Sequence, residues 1–572
     1  MQELPSAGQA FNKIRKLNML YVDKTEYIGE MIKSEGCFFL SRPRRFGKSL
    51  LLGTMRELFG GRRDLFEGLW IGSSGYDFKP FPVVCLSLAA SGRTTEGLRN
   101  TISVRLIEAA SDNGLDLNDE AKKRGLRFDA QAPGDLLLVL VNALTAKTGL
   151  QAVVLIDEYD APVQSVISEP GQAERIRDVL HDFYSVLKLL ADQDKIKFLF
   201  VTGITRFAKA SFFSVFNNCE DLTLNPEYAG ICGFSLAEFE ASLAPYLPGI
   251  LEYNKSEDLL PASTDLEEFR RMVLDFYDGY SWDGKTRILN PYSLIQFLKS
   301  KELLSFWYES GTPTFLFDLI RNNPHEFAWS DSYHLSRFSL SNVDIGNMSL
   351  VPLLFQTGYL TIEKKISSND FMVREPNGEV TDSFNLGLLM AMTDRTAKNI
   401  DDLKNDIGQA LRDADPGLLA RSLETVLGWF PFRLHISLEY YYHSIFLSIL
   451  KMLRYKVKAE VNEALGIIDL VLEYSSRRVY IMEIKFEAPK AQETGESPGD
   501  GSVTAEPTGT DKPKRTRRTG KKLPAILRRL LKSAKDQMAS NRYDARYRDE
   551  FEMVHRVAVA VAGRTSVAVE IY

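Results

Sequence analysis

Over the first 235 residues, short apolar runs alternate with amphipathic stretches. The runs at 37–40, 83–88, 153–156 and 198–202 are continuously apolar rather than alternating, which predicts parallel strands covered on both faces. Helical periodicity lies between them, for example over 173–190. Strand and helix in alternation predict an α/β domain with a parallel sheet. Residues 236–430 read as mostly helical, broken by loop signals at Asp278-Gly-Tyr280, Asn290-Pro291 and Ser310-Gly-Thr-Pro313. They show no chemical cluster and predict a helical lid or connector. From 431 the pattern changes again. An amphipathic helix over 437–453 leads into strands at 455–461, 467–472 and 478–485, with turns at 463–466 and 475–477. A helix over 524–541 and strands at 554–561 and 567–572 close the chain. Residues 488–522 are rich in Gly, Ser, Thr, Pro and charge, which predicts a disordered insertion. The expected domains are 1–235, 236–430 and 431–572.

Two of these regions carry phosphate chemistry. In the first, a strand at 38–40 runs into Arg42-Pro-Arg-Arg-Phe-Gly-Lys-Ser49, and a helix follows from Leu50. A Gly-rich turn between strand and helix points backbone N–H groups and the helix N-terminus at a phosphate. A Lys then adds charge at the β/γ-phosphates, and a Ser hydroxyl reaches Mg²⁺. The expected nucleotide contacts are Arg45, Phe46, Gly47, Lys48, Ser49 and Leu50. The usual pattern asks for Gly at 42, where this chain has Arg42. Far downstream, the apolar run 153–156 ends in Asp157-Glu158. Asp157 is thereby set to hold Mg²⁺ and Glu158 to activate the attacking water. After the next strand, Thr202-Gly-Ile-Thr-Arg206 offers a polar γ-phosphate sensor and an arginine to act on phosphate in cis or across a subunit interface, with a solvated loop arginine as the plain alternative.

The second region holds Gly466-Ile-Ile-Asp469 and then Ile481-Met-Glu-Ile-Lys485. Glu483 and Lys485, two apart on a strand, share a face. An antiparallel turn at 475–477 would bring Asp469 beside Glu483. Charges inside an apolar run are costly without a partner or a metal, so Asp469 and Glu483 are expected metal ligands, with Lys485 assisting hydrolysis. Glu439, on the preceding helix, is a candidate third ligand. Glu460 is a weaker one, and His443 stands one helical turn beyond Glu439. Gln537 and Tyr543 are candidates for supporting the site. The stretch 512–532 is basic and almost free of acids, which suits either tracking of phosphates or a solubilising linker.

Composition narrows the classes. The chain has 572 residues, 44% hydrophobic and 26% charged, and a length prior of about three or four domains. A net charge of −6 gives no global attraction to nucleic acid, so any such binding must be local. The four cysteines are widely spaced without a Cys-x-x-Cys pair, so neither a zinc knuckle nor a disulfide framework is expected, and a reducing cytoplasm fits. No signal peptide and no membrane span are expected.

Residues 4 to about 235 resemble the AAA-ATPase-like family of bacterial and archaeal proteins. The matching stretches are Tyr21-Val-Asp-Lys24, Arg42-Pro-Arg-Arg-Phe-Gly-Lys-Ser49, Leu155-Ile-Asp-Glu-Tyr-Asp160 and Thr202-Gly-Ile-Thr-Arg206. The likeness continues weakly through Tyr277-Asp-Gly-Tyr280 and Asn290-Pro-Tyr-Ser293. In that family Arg42 is the usual residue, and a C-terminal nuclease-like domain of the PD-(D/E)XK superfamily usually follows, whose signature Asp469…Glu483-x-Lys485 resembles. The resemblance implies ATP binding and hydrolysis with Mg²⁺, and Mg²⁺ or Mn²⁺ at the nuclease site. It implies DNA as the leading nucleic-acid partner. The expected function is an ATPase coupled to a metal-dependent nuclease. The alternative is a nucleotide switch, or an ATPase remodelling a partner, whose nuclease-like domain binds without cutting. Homo-oligomer and monomer are both allowed.

Overall fold

The computed structural model describes residues 1–572 apart from 35, 90–91, 168, 207–210, 217, 308–315, 318, 321–331, 342–348, 394, 430–438, 453–454, 464–465, 476, 488–522 and 564. The expected insertion at 488–522 and the Ser310-Gly-Thr-Pro313 loop therefore lie outside the described residues. The chain divides into two compact units, Met1–Phe384 and Asn385–Tyr572.

The first unit is built on a five-stranded parallel sheet: β1 (Gly36–Ser41), β2 (Val83–Ser87), β3 (Ala152–Asp157), β4 (Ile196–Gly203) and β5 (Glu220–Asp221), in the order β2-β3-β4-β1-β5. The residues of β3 are all buried, as its unbroken apolar run requires. Helix α1 (Lys48–Phe59) packs on β2 and β3. Helices Thr95–Asp112, Pro133–Thr148 and Pro170–Asp192 pack on one another and on β2, β3 and β4. The C-terminal ends of β1 and β3 thus lie at one edge of the sheet, where an open α/β sheet builds its crevice.

Two small antiparallel sheets follow that the helical reading of 236–430 did not foresee. Phe234–Ser235 pairs with Ile288–Leu289, and Asp370–Arg374 pairs with both Tyr333–Ser336 and Thr361–Lys365. These strands are short, so their alternation is swamped by flanking helical periodicity. Helix α2 (Pro291–Ser300) is capped by Asn290, whose side chain accepts from the N–H groups of Tyr292 and Ser293.

Close to the start of helix Gly378–Thr393 stands Glu379, fully buried. Burial pushes its carboxyl up from 4.5 to about 7, against a hydrogen bond from the Trp307 N–H. Because the folded value lies above the unfolded one, the native state holds the proton more tightly. The stability from this group is therefore complete below pH 4.5 and is lost as pH rises to about 7. The change corresponds to roughly 3 kcal/mol. Glu379→Gln keeps an acceptor for Trp307 without the charge. Its melting temperature relative to wild type is expected to rise between pH 5 and pH 8; an offset that does not move with pH would contradict this.

The second unit centres on a mixed sheet: β6 (Lys456–Glu463), β7 (Gly466–Ser475), β8 (Arg478–Glu487), β9 (Met553–Ala562) and β10 (Ser566–Ile571), paired in that order. Only β8 and β9 run parallel. Helix α3 (Glu439–Met452), with helices Ala397–Asp413 and Pro416–Trp429, covers one face of the sheet. Helix α4 (Ala525–Ser540) covers the other. The pleat of β9 divides accordingly: Val557, Val559 and Val561 face the first layer, while the smaller Ala558 and Ala560 lie under α4.

Contrary to the spacing of the four cysteines, the fold brings two of them together. Cys37 and Cys219 form a disulfide across 182 residues of sequence. Phe38 is paired with Glu220 in neighbouring parallel strands, so the residue before each comes to lie beside the other, with Cα atoms 4.7 Å apart. Sequence spacing does not reveal such a pairing. Cys85 and Cys232 are free. Among the described residues, no helix is long and apolar enough to cross a membrane.

Candidate functional sites

The loop from Arg42 to Gly47 connects β1 to α1. Gly47 is the N-cap of α1 at φ 90°, a left-handed conformation that favours glycine and turns the chain sharply into the helix. Lys48 and Ser49 are the first residues of α1, where N–H groups have no partner within the helix. Ser49 Oγ donates to Asp157 Oδ2 at 2.6 Å, which joins the first turn of α1 to the end of β3. Lys48 is buried, and its Nζ donates to the carbonyls of Arg42 and Pro43 at 2.9 Å each. Burial lowers its pKa, while the nearby Asp157 charge acts the other way.

Glu158 follows Asp157 at φ 52°, an unfavourable backbone for a residue with a side chain. Its N–H donates to Asp157 Oδ1. Burial, and then the Asp157 charge, raise its carboxyl above the ordinary range. A cavity of 780 Å³ is lined by Arg44 to Leu50, Asp157 and Glu158, with residues 8–12, Cys85, Tyr292 and Gln296 among its other walls. Of the expected nucleotide contacts, the structure brings Arg45, Phe46, Gly47, Lys48, Ser49, Leu50 and Asp157 to this one cavity.

Arg206 is not among the residues that line this cavity. Its Nη1 lies 2.9 Å from Asp221 Oδ2, and its guanidinium sits 4.4 Å from the Phe213 ring centre. Asp221 on β5 thus takes up its charge outside the cavity. Thr202 is likewise buried, donating to the Leu40 carbonyl at 2.7 Å.

The matching stretches divide into cavity and frame. Asp160 is buried and accepts from Gln164 Nε2, the N–H groups of Ile204 and Thr205, and Thr205 Oγ1, fixing the loop after β4. Arg42 is fully buried. It donates to the carbonyls of Ser41, Thr223 and Tyr228 and lies over the Trp282 ring at 4.0 Å. A planar fork suits three carbonyls in different directions, so Arg42 is part of the scaffold beneath the loop. Lys24 pairs with Glu238 at 2.6 Å and bonds the Gly230 carbonyl at 2.8 Å.

Sequence reading did not single out Tyr292 or the N-terminal residues 8–12. Tyr292 carried a faint signal, since it lies in Asn290-Pro-Tyr-Ser293; the N-terminal stretch carried none. The guanidinium of Arg45 lies 4.6 Å from the Tyr292 ring centre.

The second site lies in the mixed sheet. Leu470 stands opposite Met482 in the antiparallel β7–β8 pair, and one further step brings Asp469 level with Glu483. The paired register stops there, and Asp469 Oδ2 accepts the Ile484 N–H at 2.7 Å. On the other side, Glu460 takes φ 49°, and the β6–β7 ladder keeps its register from Ala459–Leu470 to Val461–Ile468, on either side of Glu460 and Asp469. Glu483 is fully buried, and Lys485 Nζ donates to its Oε1 at 2.6 Å. His443 Nε2 lies 3.5 Å from Asp469 Oδ2. Tyr543 Oη donates to the Ile467 carbonyl at 2.8 Å and accepts from Gln537 Nε2 at 3.3 Å, bracing the strand two residues before Asp469. Glu439 begins α3, and its side chain lies outside the described ones. Among the described residues, no group of three or more His, Cys, Asp or Glu is arranged to hold a metal ion.

A family model described as predicted AAA-ATPase matches residues 5–213, and one for the PD-(D/E)XK nuclease superfamily matches residues 437–571. A protein of Azotobacter chroococcum mcd 1, described as an uncharacterized protein in the vnfD 5' region, is 31% identical over 496 residues. The alignment covers 85% of this chain and 89% of that relative. No solved structure matches. The chain belongs to the AAA-ATPase-like family, with a C-terminal domain of the PD-(D/E)XK nuclease superfamily.

Proposed function

We propose that the chain is an ATP-hydrolysing nuclease in which nucleotide turnover at Lys48, Ser49, Asp157 and Glu158 governs cutting of DNA by Asp469, Glu483 and Lys485. The observation that carries the reading is the 2.6 Å contact of Ser49 Oγ with Asp157 Oδ2, beside Glu158 and facing a 780 Å³ cavity. That volume is within the range of nucleotide-sized pockets. DNA rather than RNA rests on superfamily analogy alone.

The donor chemistry fits a hard divalent cation at both places. Ser49 and Asp157 offer a hydroxyl and a carboxylate, and Asp469 and Glu483 offer two carboxylates. Magnesium takes one or two carboxylates, waters and substrate phosphate rather than a full protein cage. Such a cation, when bound, polarises phosphate oxygens and makes water a stronger nucleophile.

The remaining roles belong to the chain's own groups. The N–H groups at the start of α1 and the Lys48 ammonium bind the β/γ-phosphates, Lys48 exchanging its bonds to Arg42 and Pro43 for phosphate oxygens. Glu158 orients the attacking water and takes its proton, and its raised pKa brings it nearer to operating pH. Lys485 stabilises charge that develops on the scissile phosphate.

Equilibrium binding of ATP tests the first half. Lys48→Ala is expected to weaken binding roughly 10- to 100-fold, the loss of one buried charge-assisted contact. Equal affinity in variant and wild type would remove Lys48 from the phosphate site.

A further inference from the structure

The outer face of the loop between β1 and α1 is gripped by residues far along the same unit. Phe46 packs edge-on to Tyr280 and Trp282, with ring centres 4.7 and 5.3 Å away. Gly358 lies so close to Pro43 that a Cβ there would stand 2.7 Å from Pro43 Cβ. Trp307, fully buried, donates its indole Nε1–H to the Arg44 carbonyl at 3.3 Å. Trp307 is itself held. Its backbone N–H donates to Glu379 Oε1 at 2.8 Å, and its ring meets Tyr359 edge-on at 5.0 Å.

The Arg44 carbonyl belongs to the peptide unit that enters Arg45, and Arg45 sits at φ 69°. A non-glycine residue stays in that region only where its surroundings hold it. In a trans peptide the N–H points opposite to the C=O. Holding the Arg44 oxygen towards Trp307 therefore aims the Arg45 N–H to the other side, and Arg45 lines the cavity.

We propose that Trp307 is a positioning residue for phosphate binding. It fixes the Arg44–Arg45 peptide plane so that the Arg45 N–H serves as a phosphate donor, and Glu379 acts through it by fixing the Trp307 backbone. The inference rests on the nucleotide reading above for its ligand, but not for the orientation of the loop.

The test compares Trp307→Phe with wild type in the full chain. Phenylalanine keeps an aromatic ring and removes the N–H donor. Hydrogen–deuterium exchange without nucleotide is expected to quicken about fivefold at the amides of residues 45–48, the equivalent of one neutral hydrogen bond. The KM for ATP is expected to rise by a similar factor with kcat unchanged. A merely structural role would instead lower the active fraction, and so apparent kcat, without moving KM. If Trp307→Phe fails to fold, benzothienylalanine at position 307, which keeps the bicyclic shape with sulfur in place of N–H, makes the same comparison. Unchanged exchange at residues 45–48 in a folded variant would overturn the proposal, as would an unchanged KM. Absence of ATP binding by the wild-type chain would remove the nucleotide reading, and the exchange comparison still decides the orientation of the loop.

Discussion

Glu158→Gln is expected to bind ATP as the wild type does and to hydrolyse it about 10²- to 10⁴-fold more slowly, the range of a general base. The expectation follows from where Glu158 stands. The Asp157 carboxylate next to it is engaged by Ser49 Oγ and by the Glu158 N–H, so it is committed to holding its surroundings. Glu158 has a raised pKa and faces the same cavity. Glutamine preserves its size and polarity but accepts no proton. Phosphate release measures the turnover, and retention of labelled ATP through gel filtration measures the binding. A variant with turnover within threefold of wild type would assign the base elsewhere. A variant that loses binding would make Glu158 a ligand of the nucleotide rather than a group acting on water.

Asp469→Asn is expected to lower DNA cutting about 10³-fold, a loss of roughly 4 kcal/mol of transition-state stabilisation. Asparagine is the informative replacement because Asp469 Oδ2 accepts the Ile484 N–H at the point where the β7–β8 ladder opens. An amide oxygen keeps that hydrogen bond, so a loss of cutting reports the charge and not a slipped strand. ATP hydrolysis by the same variant is expected to stay within about twofold in the absence of DNA. Cutting that persists in Asp469→Asn would end the nuclease assignment for this group of residues.

Much of this was legible in the sequence where burial writes a simple pattern. Strands covered on both faces are continuously apolar, and 153–156 leads straight to Asp157 for that reason. Asp469, Glu483 and Lys485 stood out because charges interrupt otherwise apolar strands. What the sequence hid depends on neighbours distant along the chain. Arg42 reads as a basic residue in a phosphate loop, yet it is a fully buried bolt to the 223 and 228 carbonyls and the Trp282 ring. Arg206 reads as free to reach phosphate until Asp221 is placed beside it. The Cys37–Cys219 pair needs the β1–β5 register, which no local spacing encodes. The walls at 8–12 and Tyr292 come from segments that meet only in the folded unit.

The central claim is that one chain couples nucleotide turnover to cutting. The most direct measurement is cleavage of plasmid, linear duplex, single-stranded DNA and RNA in Mg²⁺ or Mn²⁺, with and without ATP, by wild type, Lys48→Ala and Lys485→Ala. The account predicts cutting that is lost in Lys485→Ala and that responds to ATP in wild type but not in Lys48→Ala. ATP hydrolysis with no cutting of any substrate would contradict it and leave a nucleotide switch or a partner-remodelling ATPase.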